Sequence, residues 1–143
     1  MPRYSGRGRI AIDTALVDRL DTLAGAGLER CPETAYPLVR KLTSAQFVPE
    51  PQLPGNVVTI GSTVTYLDQM TGRTECVSLV WPEHGDISRG KVSVMTPIGV
   101  ALLGLSSGQS ARWTSAGGQV RSLTIELVTR DRAPVSTIRA GPG

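Results

Sequence analysis

The chain opens with polar residues and then shows apolar residues at helical spacing. Within residues 12–24 apolar side chains recur at i, i+4 and i+7, which is typical of a helix with one buried face. These side chains are Leu16, Leu20 and Leu23. Asp13 or Thr14 can cap this helix, and Gly25 and Gly27 are expected to end it.

A second stretch of helical spacing follows Pro37, which suits the first turn of a helix because proline has no N–H to satisfy. Its apolar positions are Leu38, Leu42 and Ala45. The two helices predict an antiparallel helical hairpin over residues 12–48. Three prolines in six residues follow. They sustain neither a helix nor a central strand, and they predict a stiff polar linker over residues 49–55.

Beyond the linker the apolar residues alternate at strand spacing. The predicted strand segments are residues 57–60, 64–67, 75–81, 92–95, 111–114 and 120–128. Ala116, Gly117 and Gly118 suit the hairpin turn that leads into the last strand. Five or six strands with one short helix predict an antiparallel α+β unit over residues 56–130.

The short helix lies between two of these predicted strands. Thr96 offers a hydroxyl cap, and Pro97 takes the first helical position, where its missing N–H costs nothing. The apolar stripe that follows consists of Ile98, Ala101, Leu102 and Leu105, with Gly104 as the exit. A helix this short is expected to pack on the sheet.

Composition fits one compact domain with a small appendage. The 143 residues are 40% hydrophobic but only 4% aromatic, so the core must be mainly aliphatic. No apolar run approaches the roughly 18 residues that span a bilayer, and we expect a cytoplasmic protein with no membrane contact. Cys31 and Cys76 are far apart in sequence, which favours free thiols.

Charge and catalytic motifs argue against an enzyme or a strong nucleic-acid binder. The net charge is only +3. The one basic cluster of the sequence is Arg3, Arg7 and Arg9, in a tail over residues 1–11 that we expect to be disordered. This tail either solubilises the chain or makes weak phosphate contacts. Residues 131–143 are expected to form a flexible tail. The single histidine, His84, falls in a predicted loop, and no phosphate-binding or metal motif is present, so no cofactor is expected.

The short helix and its flanks resemble the carboxy-terminal domain of the bacterial Gre transcription factors. The resemblance lies in Thr-Pro-Ile at residues 96–98, Ala-Leu-Leu-Gly at 101–104 and the turn at 108–109, where Gly-Gln replaces the usual Gly-Asp. Within that superfamily, residues 10–130 are similar to the Rnk family, named as regulators of nucleoside diphosphate kinase. The match is weakest at residues 25–37.

This resemblance implies a fold and a partner. The fold is α+β, with a short amino-terminal antiparallel helical hairpin followed by an FKBP-like antiparallel sheet with one short helix. The implied partner is RNA polymerase, on which the domain would dock as a transcription regulator through the face around the short helix. The candidate docking residues are Met95, Thr96, Pro97 and Ile98.

Cleavage-stimulating Gre factors resemble this layout but carry a longer coiled coil, whose acidic tip helps to hold a catalytic magnesium ion. The candidate hairpin-tip acids here are Asp21, Glu29 and Glu33. Two carboxylates could hold magnesium if they converged, but we favour solvated charges. A helix over residues 12–24 is only roughly 15–20 Å long, so strong transcript-cleavage chemistry is not expected. Two alternatives stay open: direct binding to nucleoside diphosphate kinase, and cleavage stimulation by these acids.

Overall fold

The computed structural model describes residues 10–115 and 117–130, and these contain three α-helices and seven strands. In chain order the elements are β1 (Ala11–Asp13), α1 (Val17–Arg30), α2 (Pro32–Ser44), β2 (Gln46–Val48), β3 (Ser62–Asp68), β4 (Thr74–Val80), β5 (Lys91–Ser93), α3 (Pro97–Leu102), β6 (Ser110–Thr114) and β7 (Val120–Arg130). The predicted α+β class, a helical hairpin before a sheet with one short helix, is confirmed. Of the two predicted tails, the described residues include only Ile10 and Ala11. Ala116 of the predicted turn also lies outside the described residues.

Helix α1 is longer at its carboxyl end than the sequence predicts, because it continues through Gly25 and Gly27 to Arg30. The prediction that these glycines end the helix is wrong. Gly27 is buried, and a Cβ there would lie 3.2 Å from Cβ of Ala35 and 3.1 Å from Cε of Met95. The missing side chain at this position therefore allows α2 and Met95 to approach α1.

Helix α2 begins at Pro32 and carries Pro37 in its interior, so the prediction that Pro37 starts the second helix is wrong. Pro32 takes the first-turn position instead, directly after Cys31. Because Pro37 has no N–H, the carbonyl of Glu33 lacks its usual helical donor.

The base of the hairpin is closed by β1 and β2, which pair in parallel. Ile12, the first residue of the predicted hairpin region, lies in β1. The N–H of Gln46 donates to the carbonyl of Ile10 at 2.8 Å, and the N–H of Ala11 donates to the carbonyl of Gly104 at 3.2 Å. Gly104 has a φ of +85°, and a side chain there would collide with Ile10. These contacts bind the hairpin base to the chain that follows α3.

The main sheet has five strands in the order β5-β4-β3-β7-β6. All neighbours are antiparallel except β4 and β5, which pair in parallel. The connection from β4 to β5 contains two 3₁₀ turns, Pro82–His84 and Ile87–Arg89. Because this connection brings β5 beside β4 in the same direction, the sheet is not fully antiparallel. The predicted strand at residues 57–60 is absent; Val57 makes only an isolated bridge to Ser106.

One hydrophobic core is shared by the hairpin and the sheet. Its largest fully buried side chains are Ile12, Leu20, Leu38, Val58, Val64, Leu79, Val94, Leu102, Leu103, Leu123 and Ile125. The hairpin therefore packs against the sheet domain. Leu53, in the predicted linker, is buried beside Ala11, Val48 and Val57. The domain boundary at residues 49–55 remains a prediction.

Helix α3 approaches β5 so closely that only glycine fits at position 99. A Cβ on Gly99 would collide with the carbonyl oxygen of Ser93 and would lie 2.9 Å from Cα of Val94. Both obstacles are backbone atoms, which cannot move aside as a flexible side chain would.

Lys41 of α2 joins the hairpin to the carboxyl end of α3. Its Nζ donates to the carbonyl oxygens of Val100 at 2.6 Å, Ala101 at 3.1 Å and Leu103 at 2.8 Å. Carbonyls at a helix end have no helical donors, and the Lys41 amino group supplies donors to three of these oxygens. Lys41 therefore caps α3 from a different element of the fold.

Gly99→Ala should lower the free energy of unfolding by about 3 kcal/mol, because overpacking against rigid backbone is costly. Gly25→Ala is the matched control: no atom lies within 4 Å of a Cβ at Gly25, in the interior of α1. We expect the control to be neutral or to stabilise the protein by up to about 1 kcal/mol. Urea unfolding measures both; equal stability of the two variants would contradict the close packing.

Lys41→Met should lower the free energy of unfolding by about 2 kcal/mol at pH 7, because it leaves the carbonyl oxygens at the end of α3 without their donor. Urea unfolding measures the loss. The matched control is Arg40→Met, at the adjacent exposed position of α2. We expect that control to change the stability by less than about 0.5 kcal/mol. Equal losses in the two variants would show that Lys41 does not cap α3.

The Lys41 contribution should also depend on pH. Burial lowers the pKa of Lys41 from 10.5 to about 7. The unfolded chain therefore holds this proton more tightly than the folded protein does, so the free energy of unfolding rises with pH across this window. We expect the difference between wild type and Lys41→Met to grow from pH 7.5 to pH 9.5, values that lie between the folded and unfolded pKa of this group. A difference that stays flat would contradict the burial of this ammonium group.

Candidate functional site

The candidate site is the surface at the amino end of α3, and its backbone is held by two hydroxyl side chains. Thr96 Oγ1 accepts from the N–H of Gly99 at 3.1 Å and donates to the carbonyl of Ser93 at 2.7 Å. Ser93 Oγ accepts from the N–H of Met95 at 2.9 Å. The predicted cap and the proline start of the helix are confirmed. These three hydrogen bonds fix the backbone at the start of α3.

Pro97 and Ile98 are the two candidate docking residues that line a depression in the surface, and Ile98 also packs on the core. Both are partly buried, and both line a shallow depression of about 290 Å³ together with Tyr66 and Trp113. Pro97 also lines a second, larger cleft on the side of α2. Pro97 thus lies on the ridge between two concave surfaces.

The shallow depression contains an ion pair between Asp68 and Arg121. Burial alone would raise the pKa of Asp68, but hydrogen bonds from the N–H groups of Met70 and Thr71 and the pairing with Arg121 lower it. Burial raises the pKa of Tyr66, and the nearby Glu75 and Asp68 charges raise it further. Asp68 is therefore held as a carboxylate beside a neutral phenol.

Met95 and Thr96, the other two candidate docking residues, face other parts of the fold. The Met95 side chain packs on the core and reaches α1 near Gly27. The Thr96 hydroxyl is used by the helix cap. The structure thus places all four residues on one short segment, with Pro97 and Ile98 at the surface depressions.

The candidate hairpin-tip acids are exposed and lie along the hairpin rather than around one point. Glu29 and Glu33 flank the turn at Cys31 between α1 and α2. Asp21 precedes Glu29 by eight residues on α1. That spacing corresponds to about 12 Å along the helix axis.

A contact between α1 and the end of β4 was not predicted. The Arg19 guanidinium lies 4.0 Å from the ring centroid of Trp81 and pairs with Glu83. The hydrogen bond from Arg19 lowers the pKa of Glu83. Like the Lys41 cap, this contact joins residues far apart in sequence, and no local pattern signals it.

The structure also places the single histidine and the two cysteines of the sequence. His84 is exposed in the 3₁₀ turn after β4, as the predicted loop position suggested, and Cys31 and Cys76 are free thiols. Within residues 10–115 and 117–130, no three His, Cys, Asp or Glu side chains are grouped so that they could hold a metal ion. In the same residues, no helix has the length and apolar character needed to cross a membrane.

Comparison with known proteins agrees with this geometry. Residues 53–130 match the family described as "Transcription elongation factor, GreA/GreB, C-term". The regulator of nucleoside diphosphate kinase from Escherichia coli strain K12 is 34% identical over 123 residues, which cover 83% of this chain and 88% of that protein. GreA from Beijerinckia indica is 33% identical over 78 residues, which cover 54% of this chain and 50% of that protein.

A solved structure extends the similarity to the hairpin. The GreA/GreB elongation factor from Nitrosomonas europaea has a TM-score of 0.68 and 32% identity, and the match covers 85% of this chain and 99% of that one. The chain therefore belongs to the GreA/GreB transcription factor family, and within it is related to the regulators of nucleoside diphosphate kinase.

Proposed function

We propose that this protein is a transcription regulator that binds RNA polymerase through the surface at the amino end of α3. The proposal is supported by the position of Pro97 and Ile98, which are partly buried and line surface depressions, on a segment held by the Thr96 cap and by the close packing at Gly99. A preformed apolar ridge loses little conformational entropy on binding, which favours affinity. The Met95 side chain packs on the core and the Thr96 hydroxyl caps α3, so both stabilise the segment that carries Pro97 and Ile98.

We propose further that the bound protein does not stimulate transcript cleavage and is not an enzyme. Helix α1 has 14 residues, which corresponds to a length of about 21 Å. The hairpin is fastened to the sheet domain at its base by Lys41 and Arg19, and nearer its tip Gly27 lies against Met95. The short reach of a hairpin that packs on the domain argues against delivery of a magnesium site to a buried active centre.

Direct binding to nucleoside diphosphate kinase is the second candidate function. It is supported by the name of the Escherichia coli relative, which covers most of this chain. A pull-down that offers purified polymerase and purified kinase at equal concentration distinguishes the two partners. Recovery of the kinase alone would replace our first proposal with this one.

Pro97→Glu should reduce binding to purified RNA polymerase by at least about tenfold, because an unpaired charge would be placed in an apolar contact. The fold should persist, since a carboxylate is favourable in the first turn of a helix. The matched control is Ile87→Glu, a change at a side chain that is 78% exposed and lies on the connection between β4 and β5. Equal affinity of both variants for polymerase would exclude the α3 surface.

Stalled transcription complexes test the cleavage alternative. We expect no magnesium-dependent shortening of RNA when the wild-type protein is added, and no difference for Glu29→Gln combined with Glu33→Gln. A GreA protein serves as the positive control for the complexes. Shortening by the wild type that the double variant abolishes would show that the hairpin-tip acids are catalytic.

A further inference from the structure

A cleft runs along the open edge of the sheet, beside β6. It has a volume of about 520 Å³ and is lined by α2, α3 and the whole of β6. Strand β6 is an edge strand, paired only with β7. An open edge strand beside a groove is the arrangement used to bind extended peptides.

The backbone groups of β6 that face this cleft follow from its register. The N–H of Ile125 donates to the carbonyl of Gln109 at 2.9 Å, and the N–H of Ser115 donates to that of Gln119 at 2.8 Å. Hydrogen-bonded pairs alternate along an antiparallel ladder, so Ala111 and Trp113 also bond to β7. The residues between them point their N–H and C=O groups outward.

The outward-pointing residues are Ser110, Arg112 and Thr114. Among the described residues, none of their backbone groups has a hydrogen-bond partner. They offer a row of donors and acceptors about 7 Å apart, the spacing of a strand that would pair with them. The opposite edge strand, β5, has only three residues.

The charge of the cleft indicates which kind of extended peptide would bind to it. Its lining contains the exposed basic residues Arg40 and Arg112 and a single acid, Glu33, while Lys41 in the same lining is bound to the carbonyl oxygens at the end of α3. The apolar part comes from Pro37, Pro97, Val100 and Ala101. A strand with acidic and small apolar residues complements both.

We propose that β6 and this cleft bind an extended acidic segment of a partner protein, which adds a sixth strand to the sheet. The peptide pairs with the edge of β6, whereas the polymerase contact uses the ridge at Pro97; the two surfaces are neighbours and share Pro97 and Trp113. The chain's own ends are poor occupants. Residues 1–9 carry three arginines and no acid, and residues 131–143 carry one acid and two arginines.

The experiment measures binding of the fluorescein-labelled peptide acetyl-Glu-Val-Glu-Thr-Glu-Val-Glu-amide to the full-length protein by fluorescence anisotropy. The same peptide with lysine in place of glutamate is the charge control. We expect binding of the acidic peptide and at least about tenfold weaker binding of the basic one. Failure of the acidic peptide to bind, equal affinity for the two, or tighter binding of an eight-nucleotide oligo(U) would overturn the proposal.

A pair of variants at one position separates strand pairing from charge. Arg112→Ala removes the charge, whereas Arg112→Pro removes the charge and the outward N–H. Proline is tolerated at an edge position whose N–H does not pair, so β6 should stay joined to β7. We expect Arg112→Pro to bind the acidic peptide about fivefold more weakly than Arg112→Ala, the effect of one hydrogen bond. Equal affinity of these two variants would exclude strand addition.

Amide hydrogen exchange of the wild type gives a readout that charge alone would not change. On addition of the acidic peptide, exchange at Ser110, Arg112 and Thr114 should slow, while exchange at Ala111 and Trp113 should stay constant. Deletion of residues 1–9 should leave the peptide affinity unchanged. An increase of tenfold or more after this deletion would identify that segment, and not a partner, as the occupant.

Discussion

The close approach of α3 to β5 at Gly99 is the constraint on which the rest of the structure depends. No side chain fits there, because backbone atoms of Ser93 and Val94 occupy the space. This contact sets the height of α3 above the sheet, and with it the position of Pro97 and Ile98 on the surface. The Thr96 cap then fixes where the helix begins. A rigid apolar ridge is the direct result.

The hairpin depends on the same helix. Lys41 caps the carboxyl end of α3 from α2, Arg19 covers Trp81 from α1, and both helices contribute to one core with the sheet. The short hairpin therefore packs on the sheet domain. The structure presents two neighbouring surfaces, the ridge at Pro97 and the cleft along β6.

Local sequence chemistry predicted the elements whose signals lie within a few residues. Thr96 and Pro97 start α3, as a hydroxyl cap and a first-turn proline should. The same rules predicted that Gly27 ends α1 and that Pro37 starts α2, and both predictions were wrong. Helix α1 continues through Gly27, where the missing side chain allows close packing, and Pro37 lies in the interior of α2. The Lys41 contacts join residues at least 59 positions apart, and only the folded chain brings them together.

Competition for RNA polymerase decides whether this protein shares a binding site with GreA. The protein is added to a preformed complex of polymerase with a labelled GreA protein, and the labelled GreA that stays bound is measured. We expect displacement that rises with the concentration of this protein and reaches completion. A complex that retains all its GreA while this protein is also bound, or that never binds this protein, would contradict this expectation.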